Sequence, residues 1–148
     1  MHMNTLEMLE RLVGFPTVSS ETNLPLIDFV ARYLEQFGVQ SQVLPSPCGK
    51  KANLWATLGP AQDGGLVLSG HTDVVPVQGQ PWRTPPFTMQ RDAERLYGRG
   101  TTDMKGFLAC VLAAIPSFVK APLRTPIHLA LTIWWPNLAV ACHALRWR

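Results

Sequence analysis

The sequence predicts an α/β fold, a mixed sheet flanked by helices. Three observations carry that prediction. Apolar residues recur at helical spacing in two N-terminal stretches and in a long run after residue 104. Short segments rich in β-branched and aromatic residues lie between and beyond them, bounded by Gly and Pro. The chain has 148 residues, 47% hydrophobic and 16% charged, enough for one domain with a core of its own.

Leu6, Leu9, Leu12 and Val13 form one face of a helix from Thr5 to about Val13, stopped by Gly14-Phe15-Pro16. Ser19, Ser20 and Glu21 open a second helix from about Leu24 to Phe37, and Gly38 caps its end. Val39 to Leu44 and Asn53 to Leu58 read as strands, with a turn from Pro45 to Lys51. Asp63-Gly64-Gly65 signals a tight turn before a strand starting at Leu66, so the Asn53 and Leu66 strands are expected to form a hairpin. Gly79, Pro81, Pro85 and Pro86 make the next stretch an irregular loop, a candidate substrate wall. Phe87 to Gln90 and Arg95 to Tyr97 are short strand candidates. Met104 to Val119 is an apolar helix, expected to bury Met104 and Cys110 against the sheet. Pro126 to Ile133 is a last strand, in which His128 alternates with apolar neighbours and reads as a paired structural histidine.

The net charge of +3 hides an asymmetry: all ten acidic residues lie at or before Asp103. Basic residues are scattered, without the runs or interleaved aromatics of a nucleic-acid surface. No apolar run is long enough to span a membrane, because Pro116, Lys120, Pro122 and Arg124 interrupt the best candidate. Cys48, Cys110 and Cys142 form no Cys-x-x-Cys pair and read as reduced thiols. The first residues carry Glu7 and Glu10 and lack a basic-then-apolar leader, so a cytoplasmic setting is expected.

The chemistry concentrates in two stretches. Leu66-Val67-Leu68-Ser69-Gly70-His71-Thr72-Asp73-Val74-Val75-Pro76 runs a strand into a histidine and a carboxylate two residues apart. In a buried sheet, the first loop residues past a strand's carboxyl end are where ligands bind. A neutral imidazole is a zinc ligand, and a carboxylate that accepts its other N–H fixes tautomer and ring orientation. Leu96-Tyr97-Gly98-Arg99-Gly100-Thr101-Thr102-Asp103-Met104-Lys105-Gly106 places Asp103 between a Gly-rich turn and a helix start. The spacing of a phosphate-binding Gly-Lys-Ser/Thr loop is absent. Together the two stretches suggest half of a two-metal hydrolase site.

Ser-Gly-His-Thr-Asp-Val-Val-Pro and Gly-Arg-Gly-Thr-Thr-Asp-Met-Lys-Gly resemble the two N-terminal signatures of the di-zinc aminoacylase/carboxypeptidase family. Within it the acetylornithine deacetylases are most similar, because Val77 to Trp82 and Pro86-Phe87-Thr88 resemble their linking segment. The resemblance covers about residues 4 to 132. It implies a zinc-peptidase-like mixed sheet, of which this chain is the N-terminal portion and incomplete. It implies His71 as ligand to one metal, Asp103 as the carboxylate bridging two, Asp73 as the catalytic acid that orients His71, and a cis Asp103-Met104 peptide. The implied cofactor is zinc, two ions, with cobalt an alternative. The implied reaction is hydrolysis of an N-acetylated amino acid, N-acetyl-L-ornithine to acetate and ornithine for arginine synthesis, by a homodimer. Desuccinylases and general aminoacylases share both motifs.

Departures begin after Thr132. There the family runs into a Glu-Glu pair, general base then metal ligand, and here Trp135 and Pro136 occupy those positions. Three of the five tryptophans and no acid lie in the stretch from Ile133 to Arg148. Residues 1–132 are therefore expected to be the N-terminal part of the catalytic domain, and 133–148 a non-family tail produced by a frameshift. On this reading the chain alone is expected to bind zinc weakly, to be inactive and, with an unfinished sheet, to associate. The alternative is a non-catalytic scaffold or interaction fragment.

Overall fold

The computed structural model describes residues 2–133, so the expectations for Trp135, Pro136, Cys142 and the tail from residue 134 onward fall outside the described residues. Helix α1 (Thr5–Val13) begins at a capping box: Asn4 Oδ1 accepts from the Leu6 and Glu7 amides, and Glu7 accepts from the Asn4 amide. Its apolar face, Met8, Leu9, Leu12 and Val13, is buried. Helix α2 (Leu24–Glu35) starts with Pro25 in its first turn and ends before Gly38, whose φ of 73° is the left-handed conformation of a helix stop. Ser19 and Ser20 do not open α2, contrary to expectation; Asn23 precedes it, and its side chain bonds across to the Ala52 backbone instead.

Strands β1 (Ser41–Pro45), β2 (Ala52–Leu58), β3 (Leu66–His71) and β6 (Ile127–Thr132) form one sheet in the order β1-β2-β6-β3. β1 pairs antiparallel with β2, β2 antiparallel with β6, and β6 parallel with β3. The expected hairpin between β2 and β3 is absent. β6 lies between them, with Leu58 opposite Ile127 on one side and Leu66 opposite Ile127 on the other. The glycines before Leu66 turn the chain out of the β2 line, and the vacated edge of each strand is satisfied by β6, a segment more than sixty residues later. A separate small hairpin joins β4 (Gln90–Asp92) and β5 (Arg95–Tyr97), with Ala93 at φ 50° in its turn.

Helix α3 (Lys105–Lys120) follows Asp103 and packs against α1 and β3. One contiguous core joins the three helices to Ala52, Leu54, Ala56 and Leu58 of β2 and Leu129 and Leu131 of β6. The alternate residues Asn53, Trp55, Thr57, His128 and Ala130 face the other way and keep some exposure. Among the described residues the helices therefore cover one face of the sheet, the arrangement period-two patterning implies. Cys110 was expected in the core, yet it is exposed on α3. An all-apolar sequence does not show which side of a helix finds a partner. His128 is structural as expected: Nδ1 lies 2.9 Å from Thr57 Oγ1, Nε2 3.0 Å from the Gly64 carbonyl, and the ring stacks on Trp55. No described helix is long and apolar enough to cross a membrane.

Candidate active site

The parallel pairing of β3 with β6 ends at His71 opposite Thr132, and the chain then leaves the sheet. Thr72 holds this exit. Its N–H donates to the Thr132 carbonyl at 2.7 Å, its Oγ1 donates there at 3.1 Å, and its Oγ1 accepts from Asn23 Nδ2. Residues 17–19 then run beside 72–74 as a short parallel bridge centred on Val18 and Val74. Thr17 Oγ1 donates to the Thr72 carbonyl, the Val74 amide to the Thr17 carbonyl, and the Ser19 amide to the Val74 carbonyl.

Asp103 arrives from the other side, at the end of the Gly98–Thr102 turn. The Asp103-Met104 peptide is cis, as the resemblance implies. Lys105 anchors the turn: its amide donates to the Gly100 carbonyl, and its buried ammonium donates to the Phe15 carbonyl at 2.6 Å. Burial pushes the Lys105 amine down to about 8. Met104 reaches the site as well, since its Sδ accepts the His71 amide at 3.3 Å.

The result is a cleft of about 460 Å³ lined by Ser19, His71, Asp73, Arg99, Thr101 and Asp103, among others. His71 Nε2 is 3.1 Å from Asp103 Oδ1, although 32 residues separate them in sequence. His71 Nδ1 is 2.9 Å from the Asp73 carbonyl oxygen and 3.6 Å from Asp73 Oδ1. The Asp73 carboxylate is almost fully buried and accepts a 2.6 Å hydrogen bond from Ser19 Oγ. The structure thus brings together all three residues singled out from the sequence. Sequence reasoning missed Ser19, taken for a helix opener, and Lys105. The parallel bridge that makes Ser19 part of the cleft has no local signal. A lysine in the helix's first turn reads as solvated until its neighbours are known.

The donor set suits a divalent cation in part. Two donors on one tetrahedral zinc at about 2.0–2.1 Å stand about 3.3 Å apart, so the 3.1 Å between His71 Nε2 and Asp103 Oδ1 fits one ion shared between them. Asp103 is largely exposed to the cleft. Among the described residues no three His, Cys, Asp or Glu side chains converge on one point.

A model of peptidase family M20/M25/M40 matches residues 67–134. The acetylornithine deacetylase of Proteus mirabilis is 37% identical over 134 residues, covering 86% of this chain and 34% of the relative. In three dimensions an M20 family metallo-carboxypeptidase from Sulfolobus solfataricus superposes with a TM-score of 0.76, at 24% identity, over 88% of this chain and 30% of that one. Human carnosine dipeptidase 1 superposes at 0.72, also at 24% identity, over 86% of this chain and 31% of that one. The chain spans about a third of the length of the curated relatives it matches. Signatures, family match and fold agree: the chain is similar to the N-terminal part of peptidase family M20/M25/M40, whose members are metallo-hydrolases.

Proposed function

We propose that this chain carries the metal-binding beginning of an amidohydrolase site that removes an acyl group from an N-acylated amino acid, with N-acetyl-L-ornithine as the first candidate substrate. The observation that carries the reading is a conflict of acceptors around His71. The Asp73 carbonyl oxygen 2.9 Å from Nδ1 accepts only, so Nδ1 bears the proton. A neutral ring then presents a bare Nε2 to the Asp103 carboxylate at 3.1 Å, lone pair against lone pair. A cation shared by the two groups would turn that repulsion into attraction. Zinc, or cobalt in its place, would be held by His71 and by Asp103, the carboxylate that the family resemblance makes the bridge between two ions, with Asp73 fixing the imidazole. A divalent ion held there supplies Lewis acidity toward an acyl carbonyl and toward water.

The identity to acetylornithine deacetylases supports the substrate class. A small N-acetylated amino acid is then the partner, in a cytoplasmic homodimer of arginine synthesis. The Glu-Glu pair expected after Thr132 supplies a base and a ligand, and Trp135 and Pro136 can do neither. We therefore propose that this chain alone holds zinc weakly and releases no acetate.

The test is zinc titration of the purified chain beside His71→Ala and Asp103→Ala, followed by acetate release from N-acetyl-L-ornithine with zinc or cobalt. Weak zinc uptake is expected, falling at least about tenfold in either variant. Equal uptake by all three proteins overturns the metal-centre reading. Near-stoichiometric zinc after purification without added metal, or measurable acetate release, overturns the inactivity.

A further inference from the structure

We propose that Arg99 receives the carboxylate of the substrate: its guanidinium holds the anionic end of an N-acylated amino acid on one wall of the cleft, while the acyl end faces His71 and Asp103. The inference rests on the reading of the cleft as an amidohydrolase site and names the group that selects its substrate class. The contact itself needs no metal.

Arg99 lines the cleft together with His71, Asp73 and Asp103, and among the described residues that line it no other carries a permanent positive charge. That charge has no counter-charge: none of the ion pairs among the described residues involves Arg99. Nη2 donates to Gln80 Oε1 and reaches the Pro76 carbonyl at 3.4 Å, and the guanidinium carbon lies 5.0 Å from the centre of the Trp82 ring. All of these partners are neutral. Nε is buried without an acceptor, whereas Nη1, also without one among the described residues, is not sealed from solvent. One corner of the fork is therefore open. A half-buried guanidinium held by neutral acceptors has lost part of its hydration without gaining an anion, and buried charges are normally paired. A carboxylate supplies what is missing, through the charge-assisted bonds that the planar fork is shaped to make. The rest of the cleft fixes the direction of approach. Asp73 and Asp103 repel an anion, so an acylated amino acid is turned with its carboxylate toward Arg99 and away from them. Gln80 Oε1 accepts from both Arg99 and Trp82 Nε1, so a carboxylate arriving at the guanidinium is felt at the indole N–H.

The test uses the metal-free chain and two pairs of ligands that differ only in the carboxylate, at constant ionic strength: N-acetyl-L-ornithine against N-acetylputrescine, and N-acetylglycine against N-methylacetamide. The indole N–H resonance of Trp82 is followed during titration of wild type, Arg99→Lys and Arg99→Gln. In wild type the carboxylate-bearing member of each pair should shift it saturably and bind at least about tenfold more tightly than its partner. Arg99→Lys, which keeps the charge, should retain that preference, and Arg99→Gln should lose it. Both variants give up the fork that tethers the loop, so a purely structural role for Arg99 predicts that they behave alike. Equal binding within each pair by wild type, no shift with any ligand, or a carboxylate preference undiminished in Arg99→Gln overturns the proposal. The wild-type comparison decides whether or not Arg99→Gln folds. Absence of zinc uptake would strike the metal-centre reading alone, because the carboxylate preference is measured without metal.

Discussion

Gly106 illustrates how much of the site depends on single atoms. A Cβ at this position would lie 2.4 Å from the Thr101 carbonyl oxygen, a backbone atom that cannot step aside. The first turn of α3 is thus pressed against the turn that delivers Asp103. Gly106→Ala is expected to destabilise the chain by about 2 kcal/mol or more, measured as the shift of its denaturant midpoint. An unchanged midpoint would mean that the turn has room to move. Legibility differs from residue to residue here. His71, Asp73 and Asp103 are recognisable in the sequence because chemistry restricts which residue types can serve. Ser19 and Lys105 are not, because their roles come from neighbours 54 and 90 residues away in sequence. A hydroxyl or an amine carries no mark of what will lie beside it.

At the scale of elements, Arg99 ties down the loop between the two signatures. Its backbone amide donates to the Pro86 carbonyl, its guanidinium donates to Gln80 Oε1 and reaches the Pro76 carbonyl, and its charge lies 5.0 Å from the centre of the Trp82 ring. Trp82 Nε1 also donates to Gln80. Both ends of the loop are therefore tethered to one residue of the Gly-rich turn. Arg99→Lys keeps the positive charge and the amide but loses the planar fork that serves these partners together. Trypsin is expected to cut at the exposed Arg83 about tenfold faster in the variant, the effect of losing roughly 1–2 kcal/mol of tethering. Equal rates would show that the backbone bond to Pro86 suffices. Local elements were legible: α1 has the bounds that its periodicity gives, and α2, α3 and β6 differ by one or two residues at their ends. Strand pairing was not. A turn signal before Leu66 describes only its own few residues, whereas the partner of β3 is decided by which distant segment buries Leu129 and Leu131 best.

For the whole molecule, β3 ends the sheet among the described residues, with Leu66 57% and Val67 38% exposed. An uncovered edge strand with apolar side chains is a template for another strand. The chain is expected to gain mass with concentration in sedimentation velocity, and Val67→Lys, a charge on that strand, should suppress the effect. A monomer at all concentrations with a sharp, reversible unfolding transition would sink this expectation.

The central position of β6 also bears on the order in which the fold can be assembled. Synthesis delivers β1, β2 and β3 first, but among the described strands β3 is hydrogen-bonded only to β6, about sixty residues further on. Until Thr132 has left the ribosome, the emerging sheet consists of the β1–β2 hairpin, and a lone hairpin is marginal in water. His71 has no fixed strand to stand on before then. The site is therefore among the last parts of the described fold to form, closing a contact of long sequence separation of the kind that slows folding. A nascent chain paused anywhere before β6 carries both signatures in full and neither in its working place.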